Sequence, residues 1–556
     1  MSGFSASNPL VVLDDLGQIS PEATMFVPKQ APVMASLLVN PDDLEAFVQQ
    51  TSVSKNQRGI SRQLKQLKEN LLAPTDINYS TDIQPWLGNE ITFAMTATDI
   101  DRDLSNGSQP GYLVAIATQD PDRSREFLEH FWENTPLMGG HELVLEDYAG
   151  VQLIYSNAFE TDDLIPLSGG IQPLSGDWAS AMVGDRFVLF ANHPKVLRES
   201  INTVQAANLN LNDYPPYQEA IAPIETNQIG LTFVNLPQLL AWLSDRPVSP
   251  PEELDETLEI ETPELYEHLA ISLQAKKQGL VAQVAGNLIN PSDSTEVSTQ
   301  PTIDALKYIP ASVEILSAGS DLQQFWTTVE PTLSEDGIIS ALFTPPLAKL
   351  QNAANLNFSE DIFSWVKGDY ALGVIGANTN KPDWIFVVEQ GEDTEAGIAH
   401  LDAIARAQDL TAGSVTFEER SFSAWTKLTA AKLENDGGTL ALKAKVEGLH
   451  TTVDNYEIFA SSIATLQAGL KAANSESILQ QESFSQAIAA LSSPNYGYLY
   501  LNWPKSQNLL EREFPILQLL EIAGSPIFDN LGSIIFSGYE AESGYQRGKI
   551  FLNLKS

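Results

Sequence analysis

The sequence predicts an α+β fold of two tandem homologous domains, each a curved, mainly antiparallel sheet with helices packed on one face. Two observations predict this architecture. Short apolar strands follow one another as hairpins, which pair antiparallel, and helical segments separate them. Several segments of the first half also recur in the same order in the second half, which indicates that one fold occurs twice.

The first half shows the predicted elements most clearly. Residues 90–98 and 111–118 have the pattern of strands, and residues 120–132 have a helical pattern that Asp120 can cap. A second helix is predicted at 193–207. Turn residues between apolar runs predict three hairpins, at 143–156, 178–191 and 268–288.

The clearest recurrence joins INYSTDIQPWLG at 77–88 to LNFSEDIFSWVKG at 356–368. Four further pairs of segments follow in the same order, which indicates duplication of a whole domain rather than a short solenoid repeat. The limits predicted from these pairs are an N-terminal extension at 1–20, a first repeat at 21–289, a linker at 290–303 and a second repeat at 304–556. The linker is rich in Ser, Thr and Pro.

Four residues of the recurrent segments serve as markers of the repeat: Asp82, Trp86, Asp361 and Trp365. Ile83 and Trp86 lie three residues apart, which suits one face of a short helical turn against the sheet, and Asp82 can cap that turn. The alternative makes Asp82 and Asp361 the paired acids of a two-fold site. It lacks support, because no nearby His, Lys or second carboxylate recurs with them.

Charge and composition exclude several classes of function. The 72 acidic and 31 basic residues give a net charge of −41, which opposes binding to nucleic acid or to anionic lipid. The chain has no cysteine, which excludes disulfides, thiolate-bound metals and a thiol nucleophile. No apolar run approaches the roughly 20 residues of a membrane span, and the start of the chain lacks signal-peptide features, so we expect a soluble chain.

The motifs of known catalytic and cofactor sites are missing. The sequence contains no nucleophile elbow, phosphate-binding loop, zinc-binding helix motif or dinucleotide fingerprint, and its six histidines are scattered. We therefore predict no catalytic residue and no cofactor. Paired carboxylates of a hydrolase stay an alternative, because a spatial gap between two groups defines that chemistry.

A weak calcium candidate lies in DIDRDLSNG, where Asp99, Asp101 and Asp103 alternate. An EF-hand loop needs Gly at its sixth position and Glu at its twelfth, but Leu104 and Pro110 stand there. The segment is then either a calcium site of another kind or a solvated loop between two strands.

Two charged segments are candidates for contact with partners. Residues 54–72 carry a stripe of Ile and Leu with Arg62, Lys65 and Lys68 beside it. This segment is either a packed helix or a contact for an acidic partner or lipid headgroups. Residues 246–265 are acidic and proline-rich, which is typical of an exposed spacer or a docking segment.

The segments FVPKQAPVMASLLVNP, DIQPWLGNEITFAM and GYLVAIATQDPDRSREFLEHFW resemble the cyanobacterial proteins that carry the domain of unknown function 3352 (DUF3352). The resemblance runs from about Pro21 to the C-terminus. It implies no functional residue, because the family has no assigned activity. It does imply an extracytoplasmic location, in the periplasm or thylakoid lumen, tethered by an anchor that this sequence does not contain. A soluble cytoplasmic protein is the alternative.

Together these observations favour a non-enzymatic, membrane-associated protein that binds a protein partner or takes part in assembly. The first alternative is a carrier or sensor that holds a lipid or apolar small molecule in a cavity within or between the repeats. The second alternative is a hydrolase that depends on carboxylates or a metal. A broad exposed apolar patch would favour the first hypothesis, and clustered acids in a cleft would favour the hydrolase.

Overall fold

A computed structural model describes most of the chain. The described residues are 20–51, 78–103, 108–134, 142–157, 178–222, 224, 228–243, 266–276, 279–288, 302–334, 338–379, 381–417, 420–432, 440–491, 495, 497–514, 528, 530–539 and 545–554. They belong to two compact units. Unit 1 lies within Met1–Ile289 with Ser525–Asn530 and Leu554–Ser556, and unit 2 lies within Asn290–Gly524 and Leu531–Asn553.

Unit 1 contains an antiparallel sheet of ten described strands. They are β1 (Val33–Leu37), β2 (Leu87–Ala97), β3 (Gly111–Thr118), β4 (Leu143–Tyr148), β5 (Val151–Ser156), β6 (Ala179–Val183), β7 (Phe187–Ala191), β8 (Gln228–Asn235), β9 (Tyr266–Lys276) and β10 (Gly279–Leu288). Their order across the sheet is β10-β9-β8-β1-β2-β3-β7-β6-β5-β4. The three predicted hairpins are β4–β5, β6–β7 and β9–β10, although β6 and β7 also have other neighbours.

Unit 2 contains ten described strands with the same antiparallel arrangement. Its described strands are β11 (Ile315–Gly319), β12 (Tyr370–Ile375), β13 (Asp383–Glu389), β14 (Thr411–Phe417), β15 (Arg420–Lys432), β16 (Leu440–Val453), β17 (Tyr456–Ala460), β18 (Gly497–Asn502), β19 (Leu531–Tyr539) and β20 (Tyr545–Leu554). Their order is β20-β19-β18-β11-β12-β13-β17-β16-β15-β14. The α+β class and the antiparallel pairing are confirmed, whereas common descent of the two units stays a prediction.

Helices connect the strands in both units. Unit 1 has α1 (Pro41–Thr51), α2 (Pro121–Asn134), α3 (Pro194–Gln205), α4 (Pro215–Ile221) and α5 (Leu236–Leu243). Unit 2 has α6 (Leu322–Ser334), α7 (Ile338–Ala354), α8 (Phe358–Asp361), α9 (Thr394–Ala407), α10 (Ile463–Lys471), α11 (Glu482–Ala489) and α12 (Trp503–Glu513). Short 3-10 helices at Glu22–Phe26 and Asp304–Tyr308 precede the first strand of each unit.

The helices lie on both faces of the unit 1 sheet, so the prediction of helices on one face was wrong. Leu113 and Leu189 pack with α3, whereas Ile116 and Val188 pack with Phe127 of α2. Neighbouring residues of a strand point to opposite faces, so α2 and α3 cover opposite faces of β3 and β7. Both faces of these strands are apolar, and a helix buries each face.

The sheet of unit 2 is covered in the same way. Phe386 of β13 packs in a cluster with Leu401 of α9. The next residue along the chain, Ile385, faces the other way, and its side chain lies against Gly469 of α10. Strand β13 of unit 2 is therefore also buried on both faces.

Candidate functional site

The marker residues of unit 1 form one hydrogen-bonded turn. The backbone N–H of Asn78 donates to Oδ2 of Asp82 at 2.7 Å, and the indole Nε1 of Trp86 donates to the carbonyl oxygen of Asp82 at 2.7 Å. Trp86 is buried against Phe127 of α2, with ring centroids 5.1 Å apart. Asp82 thus closes the turn and orients the tryptophan onto the sheet.

The markers of unit 2 repeat this geometry. The N–H of Asn357 donates to Oδ2 of Asp361 at 2.7 Å, and Nε1 of Trp365 donates to the Asp361 carbonyl oxygen at 2.9 Å. Asp361 has one additional partner, because its Oδ1 lies 2.7 Å from Nε2 of the exposed His400. The two aspartates are thus each occupied in the turn of their own unit.

A buried carboxylate follows each marker tryptophan by four residues and was missed by the sequence reasoning. Oε2 of Glu90 accepts from the N–H of Glu22 at 2.9 Å, and Oε1 accepts from the N–H of Ala23 at 2.8 Å. Oδ2 of Asp369 accepts from the N–H of Asp304 at 2.8 Å. Each carboxylate therefore satisfies the free N–H groups at the start of a 3-10 helix. The common spacing from the tryptophan was the signal that could have found them.

Burial raises the pKa of both carboxyls. For Glu90, hydrogen bonds from Ala23 and Thr92 oppose this effect. For Asp369, burial is also the largest cause of the raised pKa, and the nearby Glu389 raises the pKa further. Raised carboxyl pKa values are a feature of many active sites, but here both groups have a structural role that accounts for their burial.

A second buried polar group joins β16 to β17. Nδ1 of His450 lies 2.5 Å from Oε1 of Glu457, and the hydroxyl of Thr452 donates to Oε2 of Glu457 at 2.6 Å. The His450 ring lies 5.5 Å from the ring of Trp425 and 5.3 Å from that of Phe459. His450 is 6% exposed and Glu457 is 2% exposed, so the pair is closed to a substrate and belongs to the core.

The calcium candidates form local contacts. Oδ1 of Asp99 accepts from the N–H of Gln109 at 3.3 Å, and Oδ1 of Asp101 accepts from the N–H of Asp103 at 2.9 Å. In the part of the chain that the structure describes, no group of three or more acidic or histidine side chains is arranged to hold a metal ion. Calcium binding at this loop stays a prediction.

Other candidates lie outside the described residues. These are Arg62, Lys65 and Lys68 of the basic segment and the acidic stretch within 246–265. Among the described helices, none combines the length and the apolar character needed to cross a bilayer.

A line of exposed apolar side chains lies on the sheet of unit 2. Leu372 of β12, Leu499 of β18 and Phe536 of β19 are 40%, 41% and 40% exposed. Ser317 of β11 pairs with both leucines, and Leu499 pairs with Phe536. Directly paired residues share a face, so these side chains form one line across four strands, about 14 Å long at the usual strand spacing. We call Leu372, Leu499 and Phe536 the apolar row.

The surroundings of the apolar row are also apolar. Val374, Ile315, Leu501 and Ile534 pair in the same manner and form a second, half-buried line on the same face. Phe386 pairs with Leu372 and is buried under α9, so the apolar row begins where the cover of that helix ends. The position in unit 1 that matches Leu372 by its distance from the marker tryptophan is Phe93, which is also exposed.

Comparisons with known proteins give a family and no activity. A family model described as a protein of unknown function (DUF3352) matches residues 4–554. A comparison with curated proteins found no match. Among solved structures, crystal form III of TP0453 covers 49% of this chain and 82% of its own at 8% identity and a TM-score of 0.25. Crystal form I of TP0453 covers 49% and 80% at 11% identity and a TM-score of 0.24. A likeness this distant supports no conclusion about function.

Proposed function

We propose that this chain, which belongs to the DUF3352 family of proteins of unknown function, is a non-enzymatic protein that binds a protein partner through the apolar row of unit 2. The observation that carries the proposal is the exposure of Leu372, Leu499 and Phe536 in one line on one sheet face, with Ser317 between the two leucines. Exposed apolar side chains grouped on one face are a common feature of protein interaction sites.

The apolar row can supply useful binding energy. Full burial of a Leu or Phe side chain contributes about 1.5–3 kcal/mol. Covering the exposed two-fifths of each residue in the row therefore contributes about 1 kcal/mol per side chain. The half-buried second line adds to this when a partner covers it. These amounts fit a moderate interface whose centre is apolar.

Charge favours a particular kind of partner. The chain carries a net charge of −41, so a partner with Lys and Arg around an apolar centre is attracted, and an acidic partner is repelled. The same charge opposes an anionic membrane as the occupant of the apolar row. The expected partner is a protein with an apolar contact surface and a basic rim.

The roles of the repeated acids support a non-enzymatic function. Asp82 and Asp361 close the turns that hold the marker tryptophans, and Glu90 and Asp369 satisfy the starts of the 3-10 helices. These structural contacts explain why the acids recur in both units, and no catalytic role is needed to explain them.

A membrane-associated location outside the cytoplasm is the second part of the proposal, and the family resemblance supports it. Protease treatment of intact and permeabilised cells tests this part. Digestion in cells whose outer layer alone is permeabilised is expected, and complete protection until the cytoplasm is opened would contradict it.

Affinity purification from the native host, followed by mass spectrometry, tests the partner. The variant Leu372→Ser/Leu499→Ser/Phe536→Ser is expected to reduce recovery of a basic-rimmed protein partner at least about tenfold. The control Leu350→Ser removes an exposed leucine of α7 and is expected to retain the partner. Equal thermal unfolding of the variants shows that the fold is intact.

Two outcomes contradict the proposal. The partner could be retained by the triple variant, which would place binding elsewhere. Alternatively, the wild type could yield a bound lipid and no protein, with the lipid lost in the triple variant, which would favour the carrier hypothesis.

A further inference from the structure

The turn that holds the marker residues of each unit contains the acceptor tripeptide of N-glycosylation. That tripeptide is asparagine, any residue except proline, and then serine or threonine. It occurs as Asn78-Tyr79-Ser80 in unit 1 and as Asn357-Phe358-Ser359 in unit 2. A third copy begins at Asn106, which lies outside the described residues. Because the same tripeptide occupies the same turn in both units, its surroundings decide whether each asparagine can be modified.

In unit 1 the acceptor groups are exposed and lie together. Asn78 and Ser80 are both exposed. Oδ1 of Asn78 accepts from the N–H of Ser80 at 3.0 Å and from the Ser80 hydroxyl at 2.7 Å. Within the part of the chain that the structure describes, Nδ2 of Asn78 donates to no other group. The amide nitrogen is therefore open to a reagent, and the serine hydroxyl that completes the acceptor tripeptide lies beside it.

In unit 2 a neighbouring helix engages the matching serine. The hydroxyl of Ser359 accepts from the indole Nε1 of Trp326 at 2.9 Å and donates to Oε1 of Glu330 at 3.0 Å. Both partners belong to α6, and Ser359 is half-buried. The side chain of Asn357 does not cap the turn that follows it, in contrast to that of Asn78. A transferase could reach the Ser359 hydroxyl only by breaking its two hydrogen bonds to α6.

We propose that Asn78 is a site of N-glycosylation and that Asn357 is not. The donor is a lipid-linked sugar diphosphate. Nδ2 of Asn78 forms a bond to the anomeric carbon of the sugar, and the bond between that carbon and the diphosphate oxygen breaks. The diphosphate leaves with the bonding electrons, and the amide releases one proton. The product is an N-linked sugar on an exposed turn, where its bulk meets solvent.

The inference rests on one part of the proposed function, the location outside the cytoplasm, because lipid-linked donors are used on that side of the membrane. It does not depend on the apolar row. A chain that protease treatment shows to be outside the cytoplasm, but that carries no sugar on Asn78, would contradict this inference alone. A chain confined to the cytoplasm would contradict both.

Peptide mapping by mass spectrometry of the full chain, purified from its native host, tests the inference. We expect sugar on the peptide that contains Asn78 and none on the peptide that contains Asn357. Fragmentation of the modified peptide locates the sugar on one residue. The peptide that contains Asn106 is separate, since Arg102 lies between Asn78 and Asn106 and allows tryptic cleavage there.

Variants of exposed residues test the role of the hydroxyl. Ser80→Ala removes the hydroxyl and should abolish the sugar on Asn78, whereas Ser80→Thr keeps a hydroxyl and should retain the sugar. Asn78→Asp keeps the oxygen that accepts from Ser80 but lacks the amide nitrogen, so it should also lose the sugar. Ser359→Thr is the matched control in unit 2 and should leave Asn357 unmodified. Equal thermal unfolding of the two Ser80 variants shows that the fold is intact.

Three results would overturn the inference. Asn78 could carry no sugar in the native protein, or Asn357 could be modified to the same extent. The sugar on Asn78 could also persist in Ser80→Ala, which would show that the tripeptide is not what the transferase reads.

Discussion

The indole nitrogen of Trp365 donates to the carbonyl oxygen of Asp361 at 2.9 Å while the carboxylate of the same Asp361 accepts from the backbone of Asn357. One residue therefore fixes both the turn and the orientation of the ring beneath α9. Unit 1 has the same relationship between Trp86 and Asp82. The packing of each tryptophan and the shape of its turn depend on each other.

Replacement of Trp365 by phenylalanine should destabilise unit 2. The change removes the indole hydrogen bond and leaves part of the ring volume empty, so we expect a loss of about 1–3 kcal/mol in the free energy of unfolding. Denaturant unfolding followed by circular dichroism measures it. Trp86→Phe should lower the free energy of unfolding of unit 1 by a similar amount. A loss below about 0.5 kcal/mol in both variants would contradict the structural role.

Replacement of Gly397 by alanine should also destabilise unit 2. Glycine to alanine inside a helix ordinarily stabilises by about 1 kcal/mol. At Gly397 of α9, however, a Cβ atom would lie far inside contact distance of the Trp365 ring, so we expect a net loss of about 1–3 kcal/mol. The control is Gly391→Ala, where a Cβ atom meets nothing within 4 Å. Thermal unfolding should show a larger loss of stability for Gly397→Ala than for Gly391→Ala. Equal changes in the two variants would contradict the close packing of Gly397 on Trp365.

The buried carboxyl of Glu90 should give unit 1 a measurable pH dependence. Burial raises its pKa in the folded protein above the ordinary value of 4.5. The folded state then holds the proton more tightly than the unfolded state, so this contribution to stability is full below about 4.5 and is lost as the pH rises through the folded pKa. In Glu90→Gln this contribution is absent.

Urea unfolding of both proteins at several pH values checks this prediction. The free energy of unfolding of Glu90→Gln relative to wild type should increase as the pH rises across that window. The exposed Glu126 of α2 provides the control, because Glu126→Gln should show no such increase. A relative stability of Glu90→Gln that falls with rising pH would contradict the assigned direction.

The pair of His450 and Glu457 should be strongly coupled. His450→Phe keeps a ring between Trp425 and Phe459 but removes one hydrogen-bond partner of the buried Glu457 side chain, which should cost about 1–3 kcal/mol. Replacing both residues, as His450→Phe with Glu457→Leu, should recover most of that loss. A double-mutant cycle measures the coupling, and additive effects of the two single changes would contradict it.

Local pattern was enough to predict the α+β class and the hairpins. Turn residues between alternating runs locate β4–β5 and β9–β10, and the apolar runs GYLVAIAT and RFVLFA locate β3 and β7. The same two runs contain the reason why helices lie on both faces. They are apolar at successive positions, which is typical of strands that are buried on both sides.

The candidate site could not be predicted, because it depends on register. Leu372, Leu499 and Phe536 are far apart in the chain, and each has the ordinary pattern of a strand residue. Only the pairing of β11 with β12 and β18, and of β18 with β19, brings them into one line. Glu90 and Asp369 were within reach of sequence reasoning, since both follow the marker tryptophan at the same distance.

The position of β1 has a consequence for how the chain folds during synthesis. This strand comes first in unit 1, yet it pairs with β2 on one side and with the much later β8 on the other, where Val33 lies opposite Val234. A ribosome must therefore deliver most of unit 1 before its centre can assemble, and contacts so distant in the chain slow folding. The newly made polypeptide is then exposed to aggregation until β8 emerges, which is the interval in which a chaperone is most useful.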